Sequence, residues 1–143
     1  MREKILVADD DRSVRTMVAR VLELAGYTPV LTTNGPEALL SFAAAKPSVI
    51  LLDLKLPGRK GWEIFEQLKR LNPQVAIIAI TAWDNQRQEA VQQEVDELME
   101  KPLDLALLLK TIAGLLEQTE PDRTGQLVER LASRSELQAG SKK

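Results

Sequence analysis

Polar side chains stand at the ends of four predicted strands, and their types suit the handling of a phosphoryl group. The side chains in these positions are Asp9, Asp10, Asp11, Asp53, Thr81 and Lys101. Crowded carboxylates repel one another, and burial increases the repulsion. A hard divalent cation such as Mg²⁺, which prefers oxygen ligands, and the ammonium group of Lys101 would offset it. With a carboxylate nucleophile and the hydroxyl of Thr81 as a donor, these groups form a complete set for phosphoryl transfer.

Asp53 is the candidate nucleophile of this set. It ends the apolar run "VILLD" and precedes "LKLPGRKG", in which Pro57 and Gly58 break the chain sharply. Proline and glycine at such a position are typical of a turn. Packing of the apolar run would hold the carboxylate at a strand end, and the turn would leave an open approach to it.

Each of these residues also has an ordinary structural explanation. Asp11 or Ser13 alone suffices to cap the helix that follows. Asp53 alone is typical of a turn, Thr81 of a strand end, and Lys101 of a solvated surface. Their occurrence together, at successive strand ends, favours a shared site.

Short apolar runs alternate with longer helical patterns, and this alternation positions the polar side chains. The predicted strands cover 4–8, 27–32, 48–54, 75–81 and, as a poor candidate, 95–100, and the predicted helices cover 13–26, 35–46, 60–71, 85–93 and 103–117. The strands at 48–54 and 75–81 are apolar on both sides, which indicates a parallel sheet covered by helices on both faces. Such sheets bind ligands beyond the carboxyl ends of their strands, where the polar side chains lie.

Right-handed crossovers would make this sheet a doubly wound α/β sandwich. Periodicity alone leaves both common strand orders open. The flavodoxin-like order places the second strand at an edge, which suits Pro29 because proline cannot donate to a ladder. The first helix carries an apolar face made of Val14, Met17, Val18, Val21 and Leu22.

Composition excludes several classes of function. The chain has 143 residues, a net charge of −2, no histidine and no cysteine. The length fits one domain, and the charge argues against a nucleic-acid groove. A histidine base, a histidine–metal site and thiolate chemistry are excluded for this chain alone. No run is long enough to span a bilayer and no signal-peptide pattern is present, so we expect a cytoplasmic protein without a membrane partner.

The motifs resemble those of the receiver domain of response regulators in two-component signalling. The resemblance covers about residues 3 to 117 and rests on "ILVADDD", "NGPEAL", "VILLDLKLPGRKGWE", "AIIAITA" and "MEKPLD". It implies a five-stranded parallel sheet in the order 2-1-3-4-5, the flavodoxin-like (βα)5 sandwich. It also implies a signalling switch that is not an enzyme, since such a domain catalyses only its own phosphorylation and dephosphorylation.

The resemblance also implies a Mg²⁺ site. Asp10, Asp53 and the backbone carbonyl of Lys55 would be direct ligands, and Asp9 would act through a bound water. Asp11 has no implied role at the metal and could cap the first helix.

The same resemblance implies the phosphoryl chemistry. Asp53 would accept the phosphoryl group from a sensor histidine kinase or a phosphotransfer protein. Thr81 and Lys101 would contact the phosphoryl oxygens, and the peptide bond between Lys101 and Pro102 would be cis.

The chain departs from the family pattern at positions that control access and switching. Leu98 stands where the family usually has Tyr or Phe, so an aromatic flip coupled to Thr81 is unavailable. Glu94-Val95 replaces the usual Gly-Ala. Ala82 and Trp83 border the site, and one hypothesis is that Trp83 shields an acyl phosphate from water, which equal lifetimes in wild type and Trp83→Ala would contradict.

The expected organisation is a receiver domain at 1–117, a linker at 118–125, a short helix at 126–138 and a disordered tail at 139–143. No output module follows in the sequence, which fits both a stand-alone receiver and a piece of a longer regulator. Phosphorylation would alter the surface formed by 84–117, which would bind a partner or form a homodimer, without direct contact to nucleic acid.

Two other functions remain open on the sequence. The first is a phosphorylation-independent interaction domain, which the missing switch aromatic favours. The second is a phosphatase of the haloacid dehalogenase type, which the DxD pattern of Asp9 and Asp11 resembles. Against the phosphatase, the sequence shows neither an acidic pair after Lys101 that would bind the metal nor a cap domain.

Overall fold

The computed structural model describes residues 3–57, 61–82 and 95–117, and of Trp62 only the backbone. Its strands are β1 (Lys4–Ala8), β2 (Thr28–Thr32), β3 (Val49–Asp53), β4 (Ala76–Thr81) and β5 (Glu97–Glu100). Its helices are α1 (Arg12–Leu24), α2 (Gly35–Ala45), α3 (Gly61–Leu71) and α4 (Leu105–Glu117). The predicted helix at 85–93 and the segments predicted after 117 lie outside the described residues.

The five strands form one parallel sheet in the order β2-β1-β3-β4-β5. This order confirms the flavodoxin-like arrangement, which periodicity alone had left open. Pro29 lies in the edge strand β2, opposite Ile5 of β1. An edge position tolerates the missing N–H of proline, so the prediction from Pro29 is confirmed.

Alternate residues of the central strands build two apolar layers, one on each face of the sheet. One layer contains Leu6, Ile50, Leu52 and Ile77 of the sheet with Phe42, Ile64 and Leu68 of α2 and α3. The other contains Ile5, Val7, Leu51, Ile78 and Ile80 of the sheet with Val18, Leu22, Leu108 and Ile112 of α1 and α4. Strands covered on both faces are apolar along most of their length, as β3 is from Val49 to Leu52 and β4 is from Ala76 to Ile80.

The helix termini follow local hydrogen-bonding rules. Asp11 caps α1 by accepting from the N–H of Ser13 at 2.9 Å, as the sequence suggested. Asn34 caps α2 by accepting from the N–H of Glu37 at 2.8 Å, which sequence reasoning missed. The predicted apolar face of α1 is wrong at Met17, which is 45% exposed because it lies at the margin of the stripe that buries Val18 and Leu22.

Strand β5 is short and begins and ends on an exposed glutamate, and only Met99 is buried within it. Polar contacts fix its start, because the Asp96 carboxylate accepts from the N–H of Ile77 at 2.7 Å and lies 3.6 Å from the ammonium of Lys69. At its end, the N–H of Lys101 donates to the Thr81 carbonyl at 2.9 Å. These contacts set the position of Lys101 relative to β4.

Among the helices that the structure describes, none combines the length and the apolar character needed to cross a membrane.

Candidate functional site

The polar residues predicted at strand ends meet at one edge of the sheet. β1 and β3 are neighbours, and Ala8 pairs with Leu52. Asp9 follows Ala8 and Asp53 follows Leu52, so the two carboxylates lie side by side. β4 and β5 bring Thr81 and the chain leading to Lys101 to the same edge.

Three carboxylates form an acidic cluster, which consists of Asp9, Asp10 and Asp53. One oxygen of each lies within 4.8 Å of the others. Asp9 is 1% exposed and Asp53 is 3% exposed, whereas Asp10 is exposed to solvent. Asp11 stays outside the cluster because it caps α1.

Lys101 provides the counter-charge of the acidic cluster. Its Nζ lies 3.0 Å from Oδ2 of Asp53 and 3.1 Å from Oδ2 of Asp9. Burial alone would lower the pKa of Lys101, but the hydrogen bond and charge of Asp53, followed by those of Asp9, outweigh it and raise the pKa above 10.5. Lys101 therefore stays protonated at neutral pH.

Asp9 is held in an unfavourable place for a carboxylate. Burial is the main reason that its pKa lies above 3.8, and the charge of Asp53 adds to this, while the N–H of Asp11 and the ammonium of Lys101 act against it. The Asp11 N–H donates to Oδ1 at 2.9 Å. Oδ2 accepts no hydrogen bond, although the ammonium of Lys101 lies 3.1 Å from it.

The acidic cluster fits a hard divalent cation. Mg²⁺ takes oxygen ligands and usually keeps several waters, so the carboxylates of the cluster are suitable ligands, and the buried Asp9 oxygen that accepts no hydrogen bond could accept one from a metal-bound water. The segment after Asp53 lies against the cluster, because the N–H of Lys55 donates to Oδ1 of Asp53 at 2.9 Å. The side chain of Lys55 is exposed.

Thr81 lies at the end of β4 and is fully buried. Its hydroxyl donates to the carbonyl of Ala82 at 2.7 Å, so its proton is engaged by the backbone. Leu98 is partly buried and packs against the apolar layer on the α2 and α3 side of the sheet. Trp83 and Glu94 lie outside the described residues.

The peptide bond between Lys101 and Pro102 is cis, as the resemblance predicted.

Sequence reasoning missed Arg15, which supports the site from α1. Its Nη1 donates to the backbone carbonyl of Asp9 at 2.9 Å. The signal was its place in the second turn of α1, since helical side chains lean back toward the N-terminus and so toward the end of β1.

The match to a known family agrees with this geometry. Residues 5–113 match the family model described as the response regulator receiver domain. The chain belongs to this family. A receiver domain is a signalling domain of two-component systems, so the family predicted from the sequence motifs is confirmed.

The relatives of this receiver domain include response regulators of mycobacteria. The response regulator MprA of Mycobacterium leprae is 35% identical over 127 residues, which cover 87% of this chain and 56% of the relative. The response regulator MprA of Mycolicibacterium vanbaalenii is 36% identical over 124 residues, which cover 85% of this chain and 54% of the relative. The chain thus spans about half the length of these relatives.

Solved receiver structures share the fold. The CheY-like receiver domain of Methanospirillum hungatei matches with a TM-score of 0.76 at 26% sequence identity. The match covers 82% of this chain and 97% of the Methanospirillum hungatei chain. The chemotaxis response regulator CheY4 of Vibrio cholerae matches with a TM-score of 0.74 at 28% sequence identity. That match covers 80% of this chain and 99% of the CheY4 chain.

Proposed function

We propose that Asp53 of this receiver domain accepts a phosphoryl group, in a Mg²⁺-dependent reaction, from the phosphohistidine of a sensor histidine kinase or a phosphotransfer protein. The observation that carries the proposal is the acidic cluster with the ammonium of Lys101 3.0 Å from Asp53. A helix cap or a surface turn would need neither the burial of two carboxylates nor a shared lysine.

Four residues would hold the metal. Asp10, Asp53 and the carbonyl of Lys55 would bind it directly, and Asp9 would bind through water. Bound Mg²⁺ supplies positive charge that neutralises the carboxylates and the phosphoryl oxygens. The buried Asp9 oxygen that accepts no hydrogen bond supports this assignment.

Asp53 is positioned for attack by hydrogen bonds to both of its oxygens. The N–H of Lys55 holds Oδ1, and the ammonium of Lys101 holds Oδ2. In the reaction, an Asp53 oxygen forms a bond to phosphorus while the bond between phosphorus and the donor imidazole nitrogen breaks. The imidazole keeps the bonding electrons and takes up a proton, and Lys101 stabilises the phosphoryl oxygens.

Thr81 and Leu98 would transmit the effect of phosphorylation from Asp53 to the protein surface. The hydroxyl of Thr81 has to leave the carbonyl of Ala82 in order to donate to a phosphoryl oxygen, so phosphorylation would favour a second arrangement at the end of β4. Because Leu98 has no ring to follow this movement, the signal would pass through the backbone of β4 and β5. We assign the receiver unit to 1–117 and its responsive surface, for a partner or a second copy, to 84–117.

Intact-mass spectrometry after incubation with a small acyl phosphate tests the proposal. Wild type, Asp53→Asn and Asp11→Asn are compared with Mg²⁺ and with a chelator. We expect one phosphoryl adduct in wild type and in Asp11→Asn only when Mg²⁺ is present, and none in Asp53→Asn. Absence of an adduct in wild type under every condition would contradict the proposal and favour a phosphorylation-independent interaction domain.

A further inference from the structure

The segment that follows Asp53 is fixed to the core by its backbone. The N–H of Leu54 donates to the carbonyl of Ile80 at 2.9 Å, which extends the pairing of β3 with β4 by one residue. The carbonyl of Leu54 accepts from the N–H of Gly61, the first residue of α3, at 3.1 Å. Both polar groups of the Leu54 backbone are therefore engaged directly behind the proposed nucleophile.

Two further anchors hold the rest of this segment. Leu54 and Leu56 are 3% and 5% exposed and belong to the apolar layer under α2 and α3. The carbonyl of Pro57 accepts from the N–H of Gly35 at 3.3 Å. Lys55 lies between the two buried leucines, so the chain on both sides of it is anchored in the core.

Gly61 leaves no room for a side chain at its contact with Leu54. A Cβ at Gly61 would lie 2.5 Å from the carbonyl oxygen of Leu54, 2.7 Å from its carbonyl carbon and closer still to its Cα. Distances below 3.0 Å are essentially never found for a real Cβ. The atoms in the way belong to the backbone, so a change of rotamer cannot relieve the clash. Any larger residue would push the Leu54 backbone away from α3.

We propose that Gly61 is a positioning residue of the metal site. By allowing α3 to begin in contact with Leu54, it sets the place of the neighbouring Lys55 carbonyl relative to the acidic cluster. This inference rests on the proposed function, because it assumes that the Lys55 carbonyl is a metal ligand. It assigns to Gly61 an effect on Mg²⁺ affinity without any contact to the metal.

The test compares Gly61→Ala with Gly114→Ala by calorimetric titration of Mg²⁺ at a temperature where both proteins are fully folded. Gly114 of α4 is a matched control, because a Cβ there would meet nothing within 4 Å. We expect the dissociation constant of Mg²⁺ to rise by about 10-fold or more in Gly61→Ala, as is typical when the support of a ligand is lost. Gly114→Ala should bind as wild type does.

A third variant separates positioning from a general loss of stability. Leu68 is buried two turns further along α3, so Leu68→Ala weakens the packing of the same helix and leaves the contact at Leu54 in place. Its thermal unfolding midpoint should fall while its Mg²⁺ affinity stays at the wild-type value. Equal loss of affinity in Leu68→Ala and Gly61→Ala would overturn the inference, because stability would then explain both.

Wild type provides a second measurement in case Gly61→Ala does not fold. If the contact of Gly61 with Leu54 favours Mg²⁺ binding, bound Mg²⁺ must stabilise that contact in return. Bound Mg²⁺ should therefore slow hydrogen exchange at the Gly61 amide more than at amides of α4. Unchanged exchange at Gly61 would overturn the inference. Failure of wild type to bind Mg²⁺ would overturn the proposed function as well, whereas equal affinity of wild type and Gly61→Ala would overturn only the role of Gly61.

Discussion

At the scale of single residues, the site combines groups that destabilise the fold with one that compensates for them. Asp9 and Asp53 are almost completely buried beside each other, and within the described part of the chain Lys101 is the cation that faces both. Desolvation and like charge penalise buried carboxylates, and a paired ammonium recovers part of that cost. Without a metal, the acidic cluster is therefore incompletely neutralised, and Asp9 shows this most clearly.

Replacing Asp9 by Asn should raise the free energy of unfolding in the absence of divalent cations. The pKa of Asp9 is raised in the folded protein, so the unfolded chain releases this proton at a lower pH. Wild-type stability should therefore fall as the pH rises above 3.8 and through the folded pKa, and the loss persists at neutral pH. Thermal unfolding of both proteins from pH 3.5 to pH 7, with a chelator, should show a gap that opens with pH and reaches a few degrees.

Asp11→Asn is the matched control for that experiment. Asp11 is exposed and caps α1, and Asn is an equally good cap, so this change should leave the unfolding midpoint nearly unaltered. A wild type that is as stable as Asp9→Asn at pH 7 would show that Lys101 already neutralises Asp9 completely.

The polar residues of the site could be predicted from the sequence, but the residues that position them could not. Asp53, Thr81 and Lys101 were recognised because each stands at the end of a predicted strand and parallel strands end at one edge of a sheet. Arg15 and Gly61 act on backbone carbonyls, and the place of a carbonyl depends on the packing of elements that are distant in sequence. No pattern of residue types records such a contact.

At the scale of elements, α2 shows how its ends are set and where one of them is strained. Asn34 caps its start, and Glu37 accepts from the N–H of Thr33, the residue before the cap, at 2.7 Å. Lys46 ends the helix with φ 52°, in the left-handed region that favours glycine. A side chain in this conformation stores strain that glycine would release.

Lys46→Gly should stabilise the domain by about 0.5–1 kcal/mol. Release of the left-handed strain contributes roughly 1–2 kcal/mol, and the greater freedom of glycine in the unfolded chain takes back about 0.5–1 kcal/mol. Urea unfolding monitored by circular dichroism measures the difference. Ala44→Gly, at an exposed position within the same helix, should instead destabilise by about 1 kcal/mol. A loss of stability in both variants would mean that the Lys46 side chain contributes more than its backbone strain costs.

The elements were predictable to within a residue or two where the apolar signal was strong. Strands β3 and β4 are buried at every position, and their predicted extents were one residue too long at one or both ends. β5 was a poor candidate because Glu97 and Glu100 are exposed, and the structure shortens it to Glu97–Glu100. The strand order needed either Pro29 as an edge signal or the family resemblance, since periodicity describes the faces of a strand and not its neighbours.

At the scale of the whole molecule, the sheet assembles the site from distant parts of the chain. β1 lies between β2 and β3, so Asp9 meets Asp53, and β4 separates Asp53 from the strand that delivers Lys101. Such a site does not exist in the unfolded chain. Metal binding should therefore be coupled to folding of the sheet as a whole.

Mg²⁺ should accordingly reverse the order of stability of wild type and Asp9→Asn. A ligand at 100 times its dissociation constant stabilises the folded state by about 2.7 kcal/mol, and this gain is larger for the protein that binds more tightly. With a chelator, Asp9→Asn should be the more stable protein, because the repulsion within the acidic cluster is reduced. At saturating Mg²⁺, wild type should overtake it, because the same carboxylate then faces a divalent cation. Urea unfolding of both proteins across a series of Mg²⁺ concentrations measures which protein is more stable at each concentration. NaCl at matched ionic strength accounts for screening. Parallel stabilisation of wild type, Asp9→Asn and Asp53→Asn would mean that the cation acts on the general surface charge and that the acidic cluster is not its site.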